Sequence, residues 1–458
     1  MILLTDGSVL VHNAYGAEWR RLTPDGQGNY TTGSWSPVFA MHNSRQFFAS
    51  GVMRDGKVFA IGGEYSNAGG DTPLGEIFDP LSNTWSALAK PPAFDFIHGD
   101  ISSCVLPNGE VLMGCIDDAR TAIWNPEHDT WREAGTAFGS TNPTKNGKTN
   151  EETWTLLRDG SVLTVEVFNP PAAEKYLPHD DIWVSASTTP QNLVETFMEE
   201  IGPAMLLTDG RVFAIGGSTH TALYTEPHHH KDPGSWANGP EMKDAANNPL
   251  TAIDAPAVLL PAGKVLFAAG KRHLEVVNGQ NEYWSGPTTF LEYDPISNGI
   301  TPTANQPAIA SGADTWKGRL MMLPNGQALY TAEQNQIWVY TPDGAPHHDW
   351  RPRINEHPHH LHRDESYEVK GHRFNGLSQA VSYGDDYSAA TNYPLVRLRK
   401  GSTVAYCRTH GFSTFGVATG DHEVHARFFV PSSAPTGDCE MAVVANGIAS
   451  EPVHVHVS

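Results

Sequence analysis

A hairpin recurs along most of this chain, and this repeat limits the possible folds more than any other feature. In each copy an apolar strand runs into a tight two-residue turn, and a second apolar strand leads out of it. The turns are mostly Asp-Gly or Asn-Gly, which tolerate the positive φ angles of tight hairpins. Successive turns lie about 50 residues apart. They begin at Asp6, Asp55, Asn108, Asp159, Asp209, Ala262 and Asn325.

Each copy continues with a third strand and often a fourth, and the last one commonly contains tryptophan, as in NTWSAL and DTWREA. A four-stranded sheet cannot bury both of its faces alone, whereas sheets stacked around an axis can do so. Long amphipathic helical patterns are absent from the sequence. Seven copies with this period therefore predict an all-β protein containing a seven-bladed β-propeller of the kelch type.

The repeat ends near Trp350, and the remaining residues have a different pattern of strands and turns. Segments such as PLVRLRKGSTVAYCRTH and CEMAVVANG are short and alternate in polarity. Over about 100 residues, such strands are typical of an immunoglobulin-like β-sandwich. The Pro- and His-rich stretch around His347–Pro358 is the expected boundary. We therefore predict a propeller over residues 1–349 and a sandwich over residues 350–458.

Charge and hydropathy limit the possible partners. The 458 residues include 30 Lys and Arg against 51 Asp and Glu, so the net charge is −21. This charge argues against nucleic acid and anionic membrane surfaces, and the sequence has no apolar run long enough to insert into a membrane. The first residues do not resemble a signal peptide, although the acidic, Lys-poor composition slightly favours a secreted or periplasmic protein. The sequence does not indicate an oligomeric state.

The four cysteines allow two interpretations. Cys104 and Cys115 flank a tight turn, and Cys407 and Cys439 both lie among the last hundred residues. Each pair is either a disulfide between neighbouring strands, formed in an oxidising compartment, or two buried thiols. No Cys/His spacing is typical of a zinc site.

The repeats, followed by the C-terminal run FFVPSSAPTGDCEMAVVANGIASEPVHVHV, resemble the galactose oxidase family over essentially the whole chain. The pairs Gly62-Gly63 and Gly216-Gly217, which end second strands, fit this resemblance. Residues 375–398 resemble bacterial galactose oxidase-like kelch proteins. The resemblance implies a propeller followed by a sandwich, but one fold hosts many chemistries.

The oxidases of that family hold one copper ion with two tyrosines and two histidines, one tyrosine being linked to a cysteine. The resemblance matches the linked tyrosine with Phe47, the Tyr-His pair of the last blade with Trp316 and Lys317, and the sandwich histidine with His410. One ligand out of four cannot hold a catalytic copper ion. We therefore expect no copper and no radical oxidase.

Two of the family's copper ligands lie eight residues before the turn of their repeats. This position, which we call the register of the inner strands, holds acidic residues in several repeats of the present sequence. Asp100, Glu151 and Asp254 begin inner strands of three blades, and matched positions of a propeller face one axial cavity. Lys317 and His410 are expected at the same opening. Crowded carboxylates raise the pKa of one carboxyl while a cation lowers that of another, which is what acid/base catalysis requires. These five residues are the predicted catalytic groups.

A second set of residues is predicted to bind the substrate. If strand alternation continues, side chains two positions further back face the same cavity, and aromatic residues line its mouth. The predicted binding residues are Arg45, Phe47, His98, Glu199, Trp316 and Tyr383. The alternative is that the acidic residues only cap loops or line a wet channel. No cofactor and no metal ligand are assigned, although three carboxylates would suit Ca²⁺ or Mg²⁺.

Three functions are compatible with these features. The first is a copper-free hydrolase, lyase or isomerase that acts on a polar small molecule or sugar-like substrate. The second is a carbohydrate- or surface-binding module without catalysis. The third is a copper-dependent alcohol or galactose oxidase with an atypical site. The concentration of charge at the register positions favours the first.

Overall fold

The computed structural model describes residues 1–67, 69–89, 99, 101–137, 139–307, 312–332, 335–383 and 389–458. The predicted all-β class is confirmed. Within these ranges the helices are two 3₁₀ turns, at Thr315–Lys317 and His348–Trp350. Among the same residues there is no helix with the length and apolarity needed to span a membrane.

Each predicted hairpin opens a separate antiparallel sheet, and its strands follow in chain order. The first sheet contains β1 (Ile2–Leu3), β2 (Val9–His12), β3 (Trp19–Thr23) and β4 (Ser34–Val38). The second contains β5 (Ala49–Val52), β6 (Val58–Ile61), β7 (Gly75–Asp79) and β8 (Thr84–Ala87). The third contains β9 (Ser103–Val105), β10 (Val111–Met113), β11 (Thr121–Asn125) and β12 (Thr130–Ala134). The fourth contains β13 (Thr155–Leu156), β14 (Val162–Val165), β15 (Ala172–Leu177) and β16 (Ile182–Thr188).

The next sheets continue this order with one unusually long hairpin. The fifth contains β17 (Ala204–Leu206), β18 (Val212–Ile215), β19 (Thr221–Thr225) and β20 (Ser235–Asn238). The sixth contains β21 (Ala257–Leu259), β22 (Val265–Val277), β23 (Gln280–Asp294) and β24 (Gly299–Pro302), and its β22–β23 hairpin extends well past the neighbouring strands. The last group contains β25 (Gly318–Met322), β26 (Ala328–Ala332) and β27 (Ile337–Tyr340). The four-stranded sheets of the first five repeats are consistent with a kelch propeller.

Burial explains why the first two strands of each repeat are almost continuously apolar. In the second sheet, β5 and β6 are buried at every residue, whereas β8 alternates with exposed positions. Tryptophans of the outer strands pack between sheets, as Trp19 does against Trp85 at 5.4 Å between ring centroids. The inner strands therefore meet other sheets on both faces, and the outer strands meet water on one face.

The strands after residue 351 form a further sheet with the order β28-β30-β34-β33-β32-β35-β37-β29, in which β36 also pairs with β35. They are β28 (Arg353–Glu356), β29 (His360–Leu361), β30 (Ser366–His372), β32 (Leu395–Lys400), β33 (Thr403–His410), β34 (Val424–Phe429), β35 (Gly437–Ala445), β36 (Ile448–Ala449) and β37 (Val453–Val457). One strand leaves this group: β31 (Val381–Ser382) pairs with β21 of the sixth sheet. The C-terminal part thus reaches the inner strands of the repeats.

All four cysteines are buried free thiols, so neither possible disulfide is present. Cys407 lies on β33 and Cys439 on β35, and β32 pairs with both strands and separates them. Two strand spacings are about 9.5 Å, beyond the Cα–Cα reach of a disulfide, which is about 7 Å. Burial raises the pKa of the Cys104 thiol to about 12.

Candidate functional site

The inner strands are preceded by residues with an unusual backbone. Phe47, Glu151, Glu199 and Asp254 have φ angles of 48°, 59°, 63° and 43°, respectively. Each precedes the first strand of its sheet by two to five residues. Positive φ is strained for residues other than glycine, and such strain collects at functional sites. These residues therefore mark the entrance to the inner strands, which we call the mouth.

The left-handed backbone also explains why one predicted binding residue does not face the mouth. Arg45 is fully buried and donates hydrogen bonds to the carbonyl oxygens of Gly62 and Leu74, at 2.8 and 2.7 Å. It also pairs with the buried Glu76 at 3.1 Å. The positive φ of Phe47 interrupts the two-residue alternation on which the prediction depended. The placement of Arg45 on the cavity face is therefore wrong.

Tyr383, which directly follows β31, contacts several residues beneath the mouth. Its hydroxyl group donates to the carbonyl oxygen of Trp316 at 2.8 Å, and its own carbonyl accepts from Thr153 Oγ1 at 3.2 Å. The Arg319 guanidinium lies over its ring at 3.9 Å. Tyr383 is only 3% exposed. It is thus a central packing residue beneath the mouth.

These contacts bring several predicted residues to one end of the repeats. Glu151 is two residues before Thr153, which bonds both Tyr383 and Gly202. Asp254 adjoins Ile253, whose carbonyl accepts from Thr315 Oγ1 at 2.5 Å. Trp316 and Lys317 follow Thr315 directly. Of the acidic residues, Asp254 is buried, Glu151 is half-buried and Glu199 is exposed, whereas Asp100 and His98 lie outside the described residues.

Aromatic side chains form a patch at the mouth, which we call the aromatic patch. Tyr15 and Tyr65 are 41% and 54% exposed and meet edge to face at 5.2 Å. Phe47 lies 6.2 Å from Tyr65 and 6.4 Å from Trp316, and Trp316 lies 5.6 Å from Trp284. Two residues of the patch, Phe47 and Trp316, were predicted from the sequence. The other three, Tyr15, Tyr65 and Trp284, were not.

The missed residues carried a weak signal. Tyr15 and Tyr65 occupy similar places in successive repeats, because each lies in the loop just after a second strand, β2 or β6. An alignment of the repeats that included these loops, as well as the inner strands, would have placed Tyr15 and Tyr65 at matching positions. Trp284 lies on the long β22–β23 hairpin. The only sign of this hairpin in the sequence is the wider interval between the last two turns, at Ala262 and Asn325.

Charged groups lie next to the patch. The Lys317 ammonium is 4.8 Å from the centre of the Trp316 ring and 3.9 Å from Asp314 Oδ2. Asp314 also faces His273 Nε2 at 3.4 Å, and His273 Nε2 lies 3.5 Å from Glu275 Oε1. Burial raises the pKa of the Asp314 carboxyl above its ordinary value. Lysine, histidine and carboxylates thus meet here, although His273, Glu275 and Asp314 were not predicted.

His410 lies at the other end of the inner strands. The neighbouring Gly411 N–H donates to the carbonyl oxygen of Arg54 at 2.6 Å, next to the turn that begins at Asp55. Eight extended residues, which separate Phe47 from Asp55, span about 26 Å. The expectation that His410 and Lys317 share one opening is therefore wrong. The loop around Tyr383, rather than β33, brings the C-terminal part to the mouth.

A buried charge cluster lies close to Glu151 in the sequence and was also missed. The Lys145 ammonium contacts Glu152, Glu166 and Glu174 at 2.8, 2.5 and 3.4 Å. Burial and the neighbouring Glu152 raise the pKa of Glu166 to about 10, so this carboxyl holds a proton near neutral pH. Burial opposes the charge of Lys145, but the carboxylates raise its pKa above the ordinary value. Through these ion pairs, the segment before β13 is linked to the end of β14 and to β15.

Among comparisons with known proteins, a family model and the solved structure of an oxidase agree with this architecture. A model of the kelch motif matches residues 47–92. A solved structure of a fungal alcohol oxidase of the AA5 family, in complex with copper, is 12% identical and has a TM-score of 0.55, covering 100% of this chain and 96% of that one. YCF48 from Cyanidioschyzon merolae is 11% identical with a TM-score of 0.42, covering 73% and 95% of the two chains.

The residues that the sequence resemblance matches with the copper ligands of the galactose oxidase family do not form a copper site. Phe47 and Trp316 offer a phenyl and an indole ring, and Lys317 offers an ammonium group that is paired with Asp314. His410 lies at the opposite end of the inner strands. Copper sites require imidazole, thiolate or phenolate donors that converge on one point. The motif match identifies a kelch motif at residues 47–92, and the end-to-end structural match shows that the chain has the fold of that oxidase.

Proposed function

We propose that the mouth binds a carbohydrate or another polyol and that the charged groups beside it perform acid/base chemistry on this ligand. The aromatic patch is the observation that carries the proposal. Tyr15 and Tyr65 expose about half of their surfaces, and Phe47 and Trp316 are half-buried beside them. Exposed aromatic clusters of this kind mark binding sites, and aromatic rings pack well against the C–H faces of sugars.

The polar groups complement such a ligand. Glu151 and Asp254 come to the same end as Trp316 through their neighbours, and carboxylates accept hydrogen bonds from hydroxyl groups. Asp314 orients the Lys317 ammonium at 3.9 Å. In this proposal Lys317 acts as the general acid or stabilises a developing oxyanion, and Glu151 acts as the general base. The net charge of −21 further supports a small neutral or cationic ligand over a nucleic acid.

Binding is tested with a broad array of glycans and free polyols, followed by calorimetry on any hit. Trp316→Ala and Tyr65→Ala should each weaken binding about fivefold, because one aromatic contact contributes about 1 kcal/mol. Trp35→Ala is the matched control, since Trp35 is 44% exposed on the edge strand β4. Binding that is unaffected by the patch variants, or the absence of any ligand, would overturn the proposal.

The proposed catalysis can be tested separately from ligand binding. Lys317→Gln and Glu151→Gln should abolish turnover of a bound ligand while leaving its affinity within a few-fold of that of the wild type. Binding without turnover in the wild type would instead support the second candidate, a carbohydrate-binding module, which the same aromatic patch favours. A copper-dependent oxidase is the weaker alternative, because its ligand positions hold Phe47, Trp316 and Lys317.

We also propose the finer architecture predicted above. The seven strand groups would be the blades of one propeller over residues 1–349, since each predicted hairpin opens one group. Residues 350–458 would form an immunoglobulin-like sandwich, in which β33 pairs with both β32 and β34 and so links the two layers. An experimental structure of the full chain tests both statements.

A further inference from the structure

Three side chains meet beside the aromatic patch, outside every position that the register singled out. His273 and Glu275 alternate on β22 and therefore share a face of the strand, and Asp314 approaches from the segment before the 3₁₀ turn. His273 Nε2 lies 3.4 Å from Asp314 Oδ1 and 3.5 Å from Glu275 Oε1. One ligand atom from each residue lies within 4.8 Å of the other two.

These distances match the edges of a metal coordination polyhedron. Zinc binds imidazole nitrogen and carboxylate oxygen at about 2.1 Å, so two ligands of a tetrahedral ion lie about 3.4 Å apart. The two edges that meet at His273 have this length. The third edge closes by a small rotation of Glu275, whose side chain is 44% exposed.

Asp314 supplies an independent reason to expect a cation. Its side chain is only 8% exposed, and its carboxylate accepts no hydrogen bond from the residues that the structure describes. Its polar neighbours are His273 Nε2 at 3.4 Å and the Lys317 ammonium at 3.9 Å. A carboxylate that is nine-tenths buried normally has hydrogen-bond donors within 3 Å. Neither neighbour comes that close, and a metal ion would supply the short contact that His273 and Lys317 do not make.

The orientation of His273 has the same implication. Its Nδ1 lies 3.4 Å from the carbonyl oxygen of Lys271, which accepts a hydrogen bond from that nitrogen. Nε2 is therefore the ring nitrogen that faces the two carboxylates, as in metal-bound histidines whose other ring nitrogen donates to a carbonyl group. In addition, Glu275 lies directly opposite Glu282 in the β22–β23 ladder, and facing like charges are unfavourable without a counter-ion.

Gly286 makes this approach possible. A Cβ atom at that position would lie 2.1 Å from Asp314 Oδ1 and 3.0 Å from His273 Cε1. Glycine therefore leaves the space in which the two side chains come together. On the outer side, His273 is 35% exposed, so a coordination position remains open to solvent, as in zinc sites that bind a further ligand.

We propose that His273, Glu275 and Asp314 bind a divalent transition-metal ion of the Zn²⁺ type at the edge of the aromatic patch. One imidazole and two carboxylates suit Zn²⁺ or Mn²⁺ better than a soft ion such as Cu⁺. The inference is independent of the proposed polyol ligand. These residues are also separate from the positions matched to the copper ligands of the oxidases.

The test is titration of the full chain with Zn²⁺ after treatment with EDTA, with a chelating dye as competitor. The wild type should bind one equivalent more tightly than its other histidines do. His273→Gln and Glu275→Gln should each weaken that equivalent by about 10- to 100-fold. Both residues are partly exposed, so the variants should fold, and Zn²⁺ should raise the melting temperature of the wild type only.

His220→Gln is the matched control. His220 is 34% exposed and pairs with Glu241 at 2.7 Å, a comparable His-Glu pair for which the described residues offer no third ligand. Its isotherm should match that of the wild type. Wild-type binding no tighter than that of His273→Gln would overturn the proposal. An equal loss of affinity in His220→Gln would overturn it as well.

Discussion

At the residue scale, Lys145 illustrates how a buried charge depends on its partners. Its ammonium group is fully buried among Glu152, Glu166 and Glu174. We predict that Lys145→Met lowers the free energy of unfolding by about 3 kcal/mol, because it leaves buried carboxyl groups without their cation. Urea denaturation measures this change. Lys148→Met is the control, since Lys148 is exposed, and a similar loss in both variants would contradict the prediction.

Glu166 predicts a dependence of stability on pH. Its pKa is raised from the ordinary 4.5 to about 10 in the folded protein, so folding takes up a proton that the unfolded chain releases. The associated stability is complete below pH 4.5 and is lost as the pH rises toward 10, by up to about 1.4 kcal/mol per pH unit. Glu166→Gln cannot release this proton.

The expected outcome is that stability falls less steeply with pH in Glu166→Gln than in the wild type. The two proteins should be closest in stability near pH 5, and the variant should gain relative to the wild type by pH 9. Urea unfolding at several pH values gives both slopes. Parallel slopes would show that Glu166 is ionised in the folded protein.

At the scale of elements, Tyr383 directly follows β31 and contacts Thr153 and Trp316, which precede the inner strands β13 and β25. We predict that Tyr383→Phe costs about 1 kcal/mol, the typical value of one hydrogen bond, because the Trp316 carbonyl loses one of its two donors and keeps only Arg319. Tyr383→Ala should cost about 3–5 kcal/mol, because it also leaves a cavity under Arg319. Chemical denaturation measures both losses, and Tyr65→Phe, at an exposed residue, should change little.

The whole molecule shares one of its apolar cores between the repeats and the C-terminal part. One cluster of buried side chains includes Ile2 and Leu10 of the first sheet together with Val396 and Val443 of the last. Arg54 adds polar contacts, donating to the carbonyl oxygens of Phe412 and Asn108. Parts that share a core of this kind should not unfold separately.

We therefore predict a single thermal transition whose calorimetric and van't Hoff enthalpies agree. Arg54→Ala should lower the free energy of unfolding by about 2 kcal/mol, because two carbonyl groups lose a charged donor, while the transition stays single. Arg20→Ala, at an exposed position of β3, is the control. Two resolved transitions in the wild type would contradict the shared core.

Part of the site was predictable because it repeats. Phe47 was found through the register of the inner strands, and Trp316 through the resemblance that matches Trp316 and Lys317 with a Tyr-His pair; both lie in the aromatic patch. Tyr15 lies in a loop, and Trp284 lies on a hairpin that is longer than its counterparts, so neither is tied to that register. Arg45 was misplaced because the strand alternation fails where Phe47 adopts a positive φ.

The sequence by itself determined the repeats, since Asp-Gly and Asn-Gly turns specify tight hairpins and apolar runs specify strands that are buried on both faces. These signals are local and act through the backbone of a few neighbouring residues. Only the tertiary structure decided which segment of the C-terminal part meets each end of the inner strands. It separated His410 from Lys317 and brought Tyr383 to the mouth, where Asp314 lies beside Lys317. Such contacts join residues far apart in the chain, and they depend on how whole sheets pack together.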